Sequence, residues 1–448
     1  MTALTDASGF KGEADAVFTP ADETELARLL AEANRDRVPV TILGAGTGIT
    51  GGSMPKNGWS ISMRKFAGIE IEPGRAITGA GVALTELQAA AARSGQFYAP
   101  DPTEWTASVG GTINTNASGS RSFLYGSTRR HVLALKVVFM DGRIREFRRD
   151  EPVDFPVPAL PLPASTKSSA GYPLRPGMDW IDLICGSEGT LAVITEAALR
   201  LLPKPRRLLA GVVFFRDEDS ALDAVGDWRS IAGERMLEYM DARSLELLRP
   251  AYEEIPMEAR AAVLIEQEDG DPADWVERLE RARALMEASW FGETDRDRER
   301  FRVFRHALPE RVNATVIQRG FMKLGTDFAV PLPRGREMLA YCRRRLSESY
   351  GGDYVVYGHA GDAHLHINML PATSEENRSG FALMTDFARK AVEFGGTVSA
   401  EHGLGKRKAH FLEIQYTPEQ LEEMKKVKRR LDPNWLLGQG NLFPVPSA

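Results

Sequence analysis

The chain is poor in cysteine, and that shortage excludes several kinds of site. Among its 448 residues only Cys185 and Cys342 are cysteines, and they form no CxxC pattern. A disulfide framework, an iron–sulfur ligand set and a zinc knuckle are therefore excluded. This cysteine usage is typical of a reducing compartment, and we expect the cytoplasm.

Long apolar runs and a large net charge are also lacking. The longest apolar stretch, Leu208 to Phe215, is long enough for a strand but not for a membrane span. The N-terminal segment has neither the basic nor the apolar region of a signal peptide. We expect no transmembrane segment, while peripheral membrane attachment stays open. A net charge of −6 gives no reason to expect nucleic-acid binding.

Apolar periodicity predicts two parts of different character. Residues 22–34 are predicted to form an amphipathic helix with Asp22 as its N-cap, followed by a short strand. The proline-rich stretch 150–177 is predicted to be a long loop, and such loops are often functional. After residue 208, strands alternate with helices such as 273–289, which indicates a second, α+β domain. A final helix is predicted to begin at Thr417.

A glycine-dense loop, GAGTGITGG, covers residues 44–52 and matches the GxGxxG pattern of dinucleotide-binding turns. A Rossmann turn must open a helix, but Pro55 and Gly58 follow here and no helix can start. Successive glycine N–H groups, with the hydroxyls of Thr47 and Thr50, still suit a phosphate cradle between strands. The alternative is a flexible glycine turn.

Two further segments, residues 100–132 and 182–203, are rich in small residues that allow close backbone approach to a flat ligand. In their order and spacing, the three segments resemble the FAD-binding domain of the vanillyl-alcohol oxidase / p-cresol methylhydroxylase (PCMH-type) superfamily. The resemblance is to its branch of D-2-hydroxyacid dehydrogenases (D-lactate, glycolate and D-2-hydroxyglutarate dehydrogenases), and it runs from about residue 17 to 443.

The resemblance implies an α+β fold of three parts. Residues 1–205 would form a PCMH-type FAD-binding domain with two subdomains. Residues 206–415 would form an α+β substrate (cap) domain of the FAD-linked oxidase C-terminal type, which carries a metal site. Residues 416–448 would form a C-terminal helix and a tail that returns to the FAD domain.

The same resemblance implies which residues contact FAD. Those at the pyrophosphate would be Gly44, Ala45, Gly46, Thr47, Gly48, Thr50, Gly51 and Gly52. Those along the flavin and ribityl chain would be Pro100, Asp101, Ser108, Gly111, Asn116 and Gly119. Those at the adenine side or flavin edge would be Glu188, Gly189 and Ile194. Some superfamily members tether FAD to His or Cys; neither occurs in 44–52 or 100–119, so we expect non-covalent FAD. The tail reads GQGN, which moves a cofactor contact to Asn441 or loses it.

Histidines concentrate in the second half of the chain. In YGHAGDAHLHINMLP, a strand would put His364, His366 and Asn368 on one face, and His359 could fold back toward them. Glu401 follows in GTVSAEHGLGK. A single histidine of this kind is usually a core residue, but this grouping favours a metal site. Two imidazoles and one carboxylate leave an open position, as in catalytic zinc sites.

The resemblance assigns His359, His366 and Glu401 as ligands of a divalent metal, which we expect to be Zn²⁺, and His402 as the catalytic base. His364 departs from the family, which usually has Asn there. It could contact the substrate, tune the metal or simply pack.

A substrate carboxylate also needs a cationic partner. By the resemblance this would be Arg305, supported by the bidentate geometry of Arg–carboxylate pairs, together with Lys323. The alternative for Arg305 is an exposed helix arginine.

The function implied is oxidation of a small D-2-hydroxy acid to the 2-oxo acid, with hydride passing to the flavin. The reduced flavin would then need an external electron acceptor: a quinone, a cytochrome, an electron-transfer flavoprotein, an iron–sulfur subunit or oxygen. Two alternatives are a different FAD-dependent oxidase or synthase on this scaffold and a non-catalytic flavin-binding subunit of a larger complex. A homodimer stays open.

Overall fold

The computed structural model describes residues 2–445. In chain order the strands are β1 (Thr2–Thr5), β2 (Lys11–Ala14), β3 (Ala16–Phe18), β4 (Val40–Leu43), β5 (Trp59–Ser62), β6 (Ile69–Glu72), β7 (Arg75–Gly79), β8 (Gln96–Phe97), β9 (Val132–Val138), β10 (Ile144–Arg148), β11 (Val193–Arg200), β12 (Leu202–Pro203), β13 (Leu208–Phe215), β14 (Glu234–Met240), β15 (Ala261–Glu268), β16 (Trp290–Gly292), β17 (Leu324–Gly325), β18 (Asp353–His359) and β19 (His364–Leu370). The helices are α1 (Glu23–Arg35), α2 (Leu84–Ala92), α3 (Val109–Thr115), α4 (Ser122–Tyr125), α5 (Trp180–Ile184), α6 (Glu218–Trp228), α7 (Ala242–Leu248), α8 (Pro272–Arg281), α9 (Asp295–Gln318), α10 (Gly335–Ser349), α11 (Ser374–Glu393), α12 (Leu412–Gln415) and α13 (Pro418–Leu431).

From residue 2 onward, the first half of the chain contains four sheets, of which two, β1-β2 and β8-β12, have only two strands. A parallel sheet has the order β3-β5-β4, and an antiparallel sheet has the order β10-β9-β11-β7-β6. Helix α1 begins as predicted, because the Asp22 side chain accepts a hydrogen bond from the Glu25 backbone N–H. Its apolar face (Leu26, Leu29, Leu30 and Ala33) is buried.

The glycine loop joins two neighbouring parallel strands without opening a helix. Strand β4 ends at Leu43 and the next element is strand β5, which begins at Trp59. The prediction that this loop is not a Rossmann turn is therefore confirmed. Residues 153–178 likewise contain no helix or strand, which confirms the long loop predicted over 150–177.

The second half is built on a seven-stranded sheet of order β16-β13-β15-β14-β18-β19-β17. Its two faces are buried by different hydrophobic clusters, because neighbouring residues of a strand point to opposite sides. Helix α9 supplies Phe301, Phe304 and Leu308 to the cluster on one face. Helices α6 and α10 supply Trp228 and Met338 to the cluster on the other.

Strands β18 and β19 form a hairpin that carries His359, His364 and His366. A 3-10 turn over Ala360–Asp362 joins them, and His359 lies opposite His364 in the antiparallel register. On the other side of β18, His359 lies opposite Glu238 of β14. The three strands therefore put Glu238, His359, His364 and His366 on one face of the sheet, and His364, His366 and Asn368 share that face of β19 as period two predicts.

One helix ends earlier than its local pattern predicts, and another begins where it was predicted to begin. Helix α8 ends at Arg281, earlier than the predicted residue 289, because Arg283 has a positive φ of 56° and Ala284 bridges to Phe215 of β13. Helix α13 begins after Thr417 with the predicted capping box. The C-terminal tail then reaches the parallel sheet β3-β5-β4, where Leu437 bridges to Val40.

Candidate active site

The glycine loop meets the segment that follows Glu401. The carbonyl of Thr50 accepts hydrogen bonds from the backbone N–H groups of Lys406 and Arg407, both at 3.1 Å. The Glu188 carboxylate accepts from the N–H of Gly405 at 2.6 Å. Burial raises the pKa of Glu188 to about 7, although its backbone donors favour the carboxylate. Two of the predicted cofactor segments thus lie against residues 405–407, which follow Glu401 and His402.

The loop presents an open backbone at its centre. A Cβ added at Gly46 or Gly48 would meet no atom within 4 Å, and Gly46 has a φ of +74°. Among residues 2–445, the N–H groups of Gly46, Thr47 and Gly48 have no hydrogen-bond acceptor. Free N–H groups in front of open space fit a phosphate, so these residues could hold the pyrophosphate of FAD.

The flavin-side residues lie around helix α3. Ser108 caps this helix by accepting from the Gly111 N–H at 3.3 Å, and Asn116 ends it in the left-handed conformation. Gly119 has a φ of +135°, and a side chain there would collide with the Asp101 carbonyl. The Asp101 carboxylate is itself engaged, 3.3 Å from the Arg121 guanidinium.

The remaining predicted cofactor residues differ in exposure. Pro100 is buried beside this segment, and Gly189 has a φ of +67° with open space in front of it. Ile194 is buried in the main hydrophobic core, so its contact with FAD stays a prediction. Asn441 donates to the carbonyls of Gly52 at 3.0 Å and Glu188 at 2.9 Å, which joins the tail to the loops.

The predicted metal residues come together in the structure. Ring nitrogens of His359, His364 and His366 and a carboxylate oxygen of Glu401 all lie within 4.8 Å of one another. His359 Nε2 is 3.1 Å from Glu401 Oε2, and its Nδ1 contacts Glu238. Although burial opposes the charged imidazole, the carboxylates of Glu238 and Glu401 raise the pKa of His359 to about 9. Imidazole and carboxylate donors at this spacing fit a divalent transition metal.

Glu401 is held from the side of the FAD-binding half. Its Oε1 accepts hydrogen bonds from Ser118 Oγ at 2.8 Å and from the Gly119 N–H at 3.1 Å. The ammonium of Lys167, which is 3% exposed, forms an ion pair with the same oxygen. Lys167 comes from the long proline-rich loop, so that loop has a place at the site.

The His402 ring lies against the carboxylate of Asp327. Its Nδ1 lies 3.2 Å from Asp327 Oδ1, and its side chain is 31% exposed. Asp327 also accepts from the His402 backbone N–H at 3.0 Å and from Ser399 Oγ at 2.6 Å. Burial lowers the pKa of His402, although Asp327 works in the opposite direction, and a lower pKa favours the neutral ring. A neutral, oriented imidazole is what a general base requires.

The two cations predicted for the substrate carboxylate differ in what they contact. Arg305 is 13% exposed and forms an ion pair with Glu238 at 2.9 Å, while one terminal nitrogen lies 3.4 Å from Thr103 Oγ1. It is therefore not an exposed helix arginine. Lys323 has no hydrogen bond or ion pair within residues 2–445, and burial and the Lys408 ammonium lower the pKa of Lys323 to about 8. Lys323 is the cation left free for an anion.

Three residues at the site had escaped prediction: Glu238, Asp327 and Lys167. Each belongs to an element whose own pattern gives no sign of the site. Glu238 lies in the buried strand β14, and Lys167 lies in a loop without periodicity. Asp327 follows β17, which has only two residues.

Two known protein families match this chain. Residues 204–442 match the family described as FAD linked oxidases, C-terminal domain, which covers more than half of the chain. Residues 14–148 match a family described as FAD binding domain. The chain belongs to the FAD-linked oxidases. This FAD-linked oxidase is thus an FAD-dependent oxidoreductase of the D-lactate dehydrogenase and glycolate oxidase type, and the predicted family and enzyme class are confirmed.

Relatives and solved structures agree with this placement. The oxidase is 33% identical to a D-lactate dehydrogenase of Archaeoglobus fulgidus over 95% of this chain and 90% of that protein. It is 31% identical to the glycolate oxidase subunit GlcD of Bacillus subtilis over 96% of this chain and 89% of that protein. A solved alkyldihydroxyacetonephosphate synthase has the same fold, with a TM-score of 0.67 at 15% identity over 94% of this chain and 75% of that one. The predicted PCMH-type α+β fold is confirmed. From Thr2 to Val445, no helix combines the length and apolar character needed to cross a bilayer.

Proposed function

We propose that this oxidase converts a small D-2-hydroxy acid, such as lactate, glycolate or 2-hydroxyglutarate, to the 2-oxo acid with the help of a divalent metal. The observation that carries the proposal is the cluster of His359, His366 and Glu401 beside His402, in direct contact with Ser118 of the FAD-binding half. The names of the D-lactate and glycolate relatives support the substrate class.

His359, His366 and Glu401 would hold the metal, for which we propose Zn²⁺. Bound metal would lower the pKa of the substrate hydroxyl, and bound FAD would accept the two electrons. The donor set fits because two imidazoles and one carboxylate leave room for a substrate oxygen. The glycine loop and the segment around helix α3 would hold FAD without a covalent bond. Burial raises the pKa of the nearby Cys185 thiol to about 12, which leaves it a poor nucleophile for a tether.

The chain's own residues would then bind the acid and move one proton. The Lys323 ammonium would pair with the substrate carboxylate, and Arg305 would add a donor from its nitrogen near Thr103. His402 Nε2 would accept the hydroxyl proton, because Nδ1 faces Asp327 and fixes the ring. Loss of that proton and of the α-hydrogen with its electron pair leaves the 2-oxo acid.

The electrons must leave the flavin for an external acceptor: a quinone, a cytochrome, an electron-transfer flavoprotein, an iron–sulfur subunit or oxygen. The buried free thiols of Cys185 and Cys342 support a reducing compartment, and we propose the cytoplasm. A homodimer stays a prediction.

Anaerobic flavin bleaching tests the proposal. The purified holoenzyme is mixed with the D and L forms of lactate, malate and 2-hydroxyglutarate, and with glycolate, before and after treatment with a chelator. We expect at least one D-acid to bleach the flavin, the chelator to abolish bleaching, and Zn²⁺ to restore it. If no acid bleaches the flavin, the proposed activity is wrong. If bleaching resists the chelator, the metal's role is wrong and another oxidase or synthase chemistry becomes the better hypothesis.

A further inference from the structure

His364 has a buried imidazole whose polar atoms lack partners. Its side chain is 0% exposed, and neither ring nitrogen makes a hydrogen bond to any residue between 2 and 445. A buried polar group without a partner costs free energy that a surface position would not. Its ring centroid is 4.4 Å from that of His366 and 5.2 Å from that of His359. The unpartnered ring therefore lies inside the histidine cluster.

The three rings share one arrangement. His359 turns Nδ1 to Glu238, and His366 turns Nδ1 to the Thr326 carbonyl at 2.9 Å. His364 turns Nε2 toward Asp327, with 3.3 Å between Nε2 and Oδ1. In each ring one nitrogen faces an acceptor outside the cluster, which is how metal-ligating histidines are usually oriented. This leaves Nε2 of His359, Nε2 of His366 and Nδ1 of His364 for the centre.

Glu401 completes the same centre. Its Oε1 is held by Ser118 and Gly119, and Nδ1 of His364 lies 3.8 Å from that oxygen. His364 is part of the set whose donor atoms all lie within 4.8 Å of one another, a separation that one ion can span. Packing alone does not explain why an imidazole whose Nδ1 has no hydrogen-bond partner is buried among three other donors.

We propose that His364 is a fourth protein ligand of the metal, through Nδ1, and that Asp327 is the acceptor that orients it. The inference rests on the metal site of the proposed function and extends it to three imidazoles and one carboxylate, so that a substrate oxygen would bind as a fifth donor. Asp327 Oδ1 also faces His402 Nδ1 at 3.2 Å, so one carboxylate positions both the extra ligand and the base.

Metal affinity tests the role of His364. The zinc content of the holoenzyme is measured by elemental analysis, and its affinity for Zn²⁺ by competition with a chromophoric chelator. We expect His364→Asn and His364→Gln each to weaken binding by more than about 100-fold, beyond the roughly 10- to 100-fold effect of losing an outer partner of a ligand. His410→Asn is the matched control, because His410 is exposed and its ring is not among the clustered donors, and the variant should bind Zn²⁺ as the wild type does. Flavin content and thermal melting show that each variant is folded.

X-ray absorption of the zinc-loaded enzyme counts the imidazoles directly. We expect three imidazole ligands in the wild type and two in His364→Asn. An unchanged imidazole count in that variant would overturn the inference, whatever its affinity, and leave the three-ligand site intact. If the wild-type enzyme bound no Zn²⁺, the metal part of the proposed function would itself be wrong.

Discussion

Replacing Lys323 with methionine removes a half-buried ammonium of the site that has no carboxylate or carbonyl partner within residues 2–445. We expect the KM for the hydroxy acid to rise while kcat changes little, because the cation binds the carboxylate and not the reacting atoms. A hydrogen bond to a charged group contributes about 1.5–3 kcal/mol. Since about 1.4 kcal/mol is tenfold in affinity, KM should rise by roughly 10- to 150-fold.

The pH dependence of the wild-type enzyme tests the same role of Lys323 by a second route. A lysine is charged below its pKa, and burial and Lys408 lower the pKa of Lys323 to about 8. The ammonium is therefore present at pH 7 and mostly lost at pH 9, which should lower kcat/KM by about tenfold over that interval. An acid limb should appear below the ordinary histidine range, because burial lowers the pKa of His402 and the base works in its neutral form.

Steady-state rates with the hydroxy acid that bleaches the flavin and an artificial electron acceptor, measured from pH 5 to 10, provide the assay. Lys323→Arg keeps its charge throughout and should lose the alkaline limb. Lys426→Met, which alters an exposed lysine of helix α13, is the control and should leave both constants unchanged. An unchanged KM in Lys323→Met, or an alkaline limb that persists in Lys323→Arg, would refute the reasoning.

Three further substitutions address the rest of the site. Asp327→Asn should lower kcat about 100-fold with little change in KM, because His402 loses the carboxylate that orients its ring; an unchanged kcat would contradict this orienting role. Lys167→Met leaves the buried Glu401 without its ammonium and should destabilise the fold by about 3 kcal/mol, seen as a lower Tm; an unchanged Tm would show the pair to be dispensable. Gly46→Val places a β-branched side chain at a φ of +74° in front of the open backbone, so we expect enzyme purified with little FAD; full flavin content would exclude this loop from the cofactor site.

Patterns carried by neighbouring residues were predictable from the sequence. The cap of helix α1 at Asp22, the loop after β4 and the shared face of His364 and His366 each depend on residues within one turn or one strand. Such features follow from hydrogen bonding and side-chain periodicity in a single element, so they need no knowledge of the rest of the chain. The family resemblance rested on the same local segments, and it implied His359 and Glu401 in addition.

The tertiary structure alone brought in the residues that orient the site. Glu238 is 121 positions from His359, Lys167 is 234 from Glu401, and Asp327 is 75 from His402. These pairs form because strands β14, β17 and β18 are neighbours or near neighbours in one sheet, and because the long loop packs against that sheet. Burial of both sheet faces sets this arrangement. Sequence determined which residue types carry the chemistry; only the fold decided which acceptor each imidazole faces, because that depends on strand order and register between distant segments.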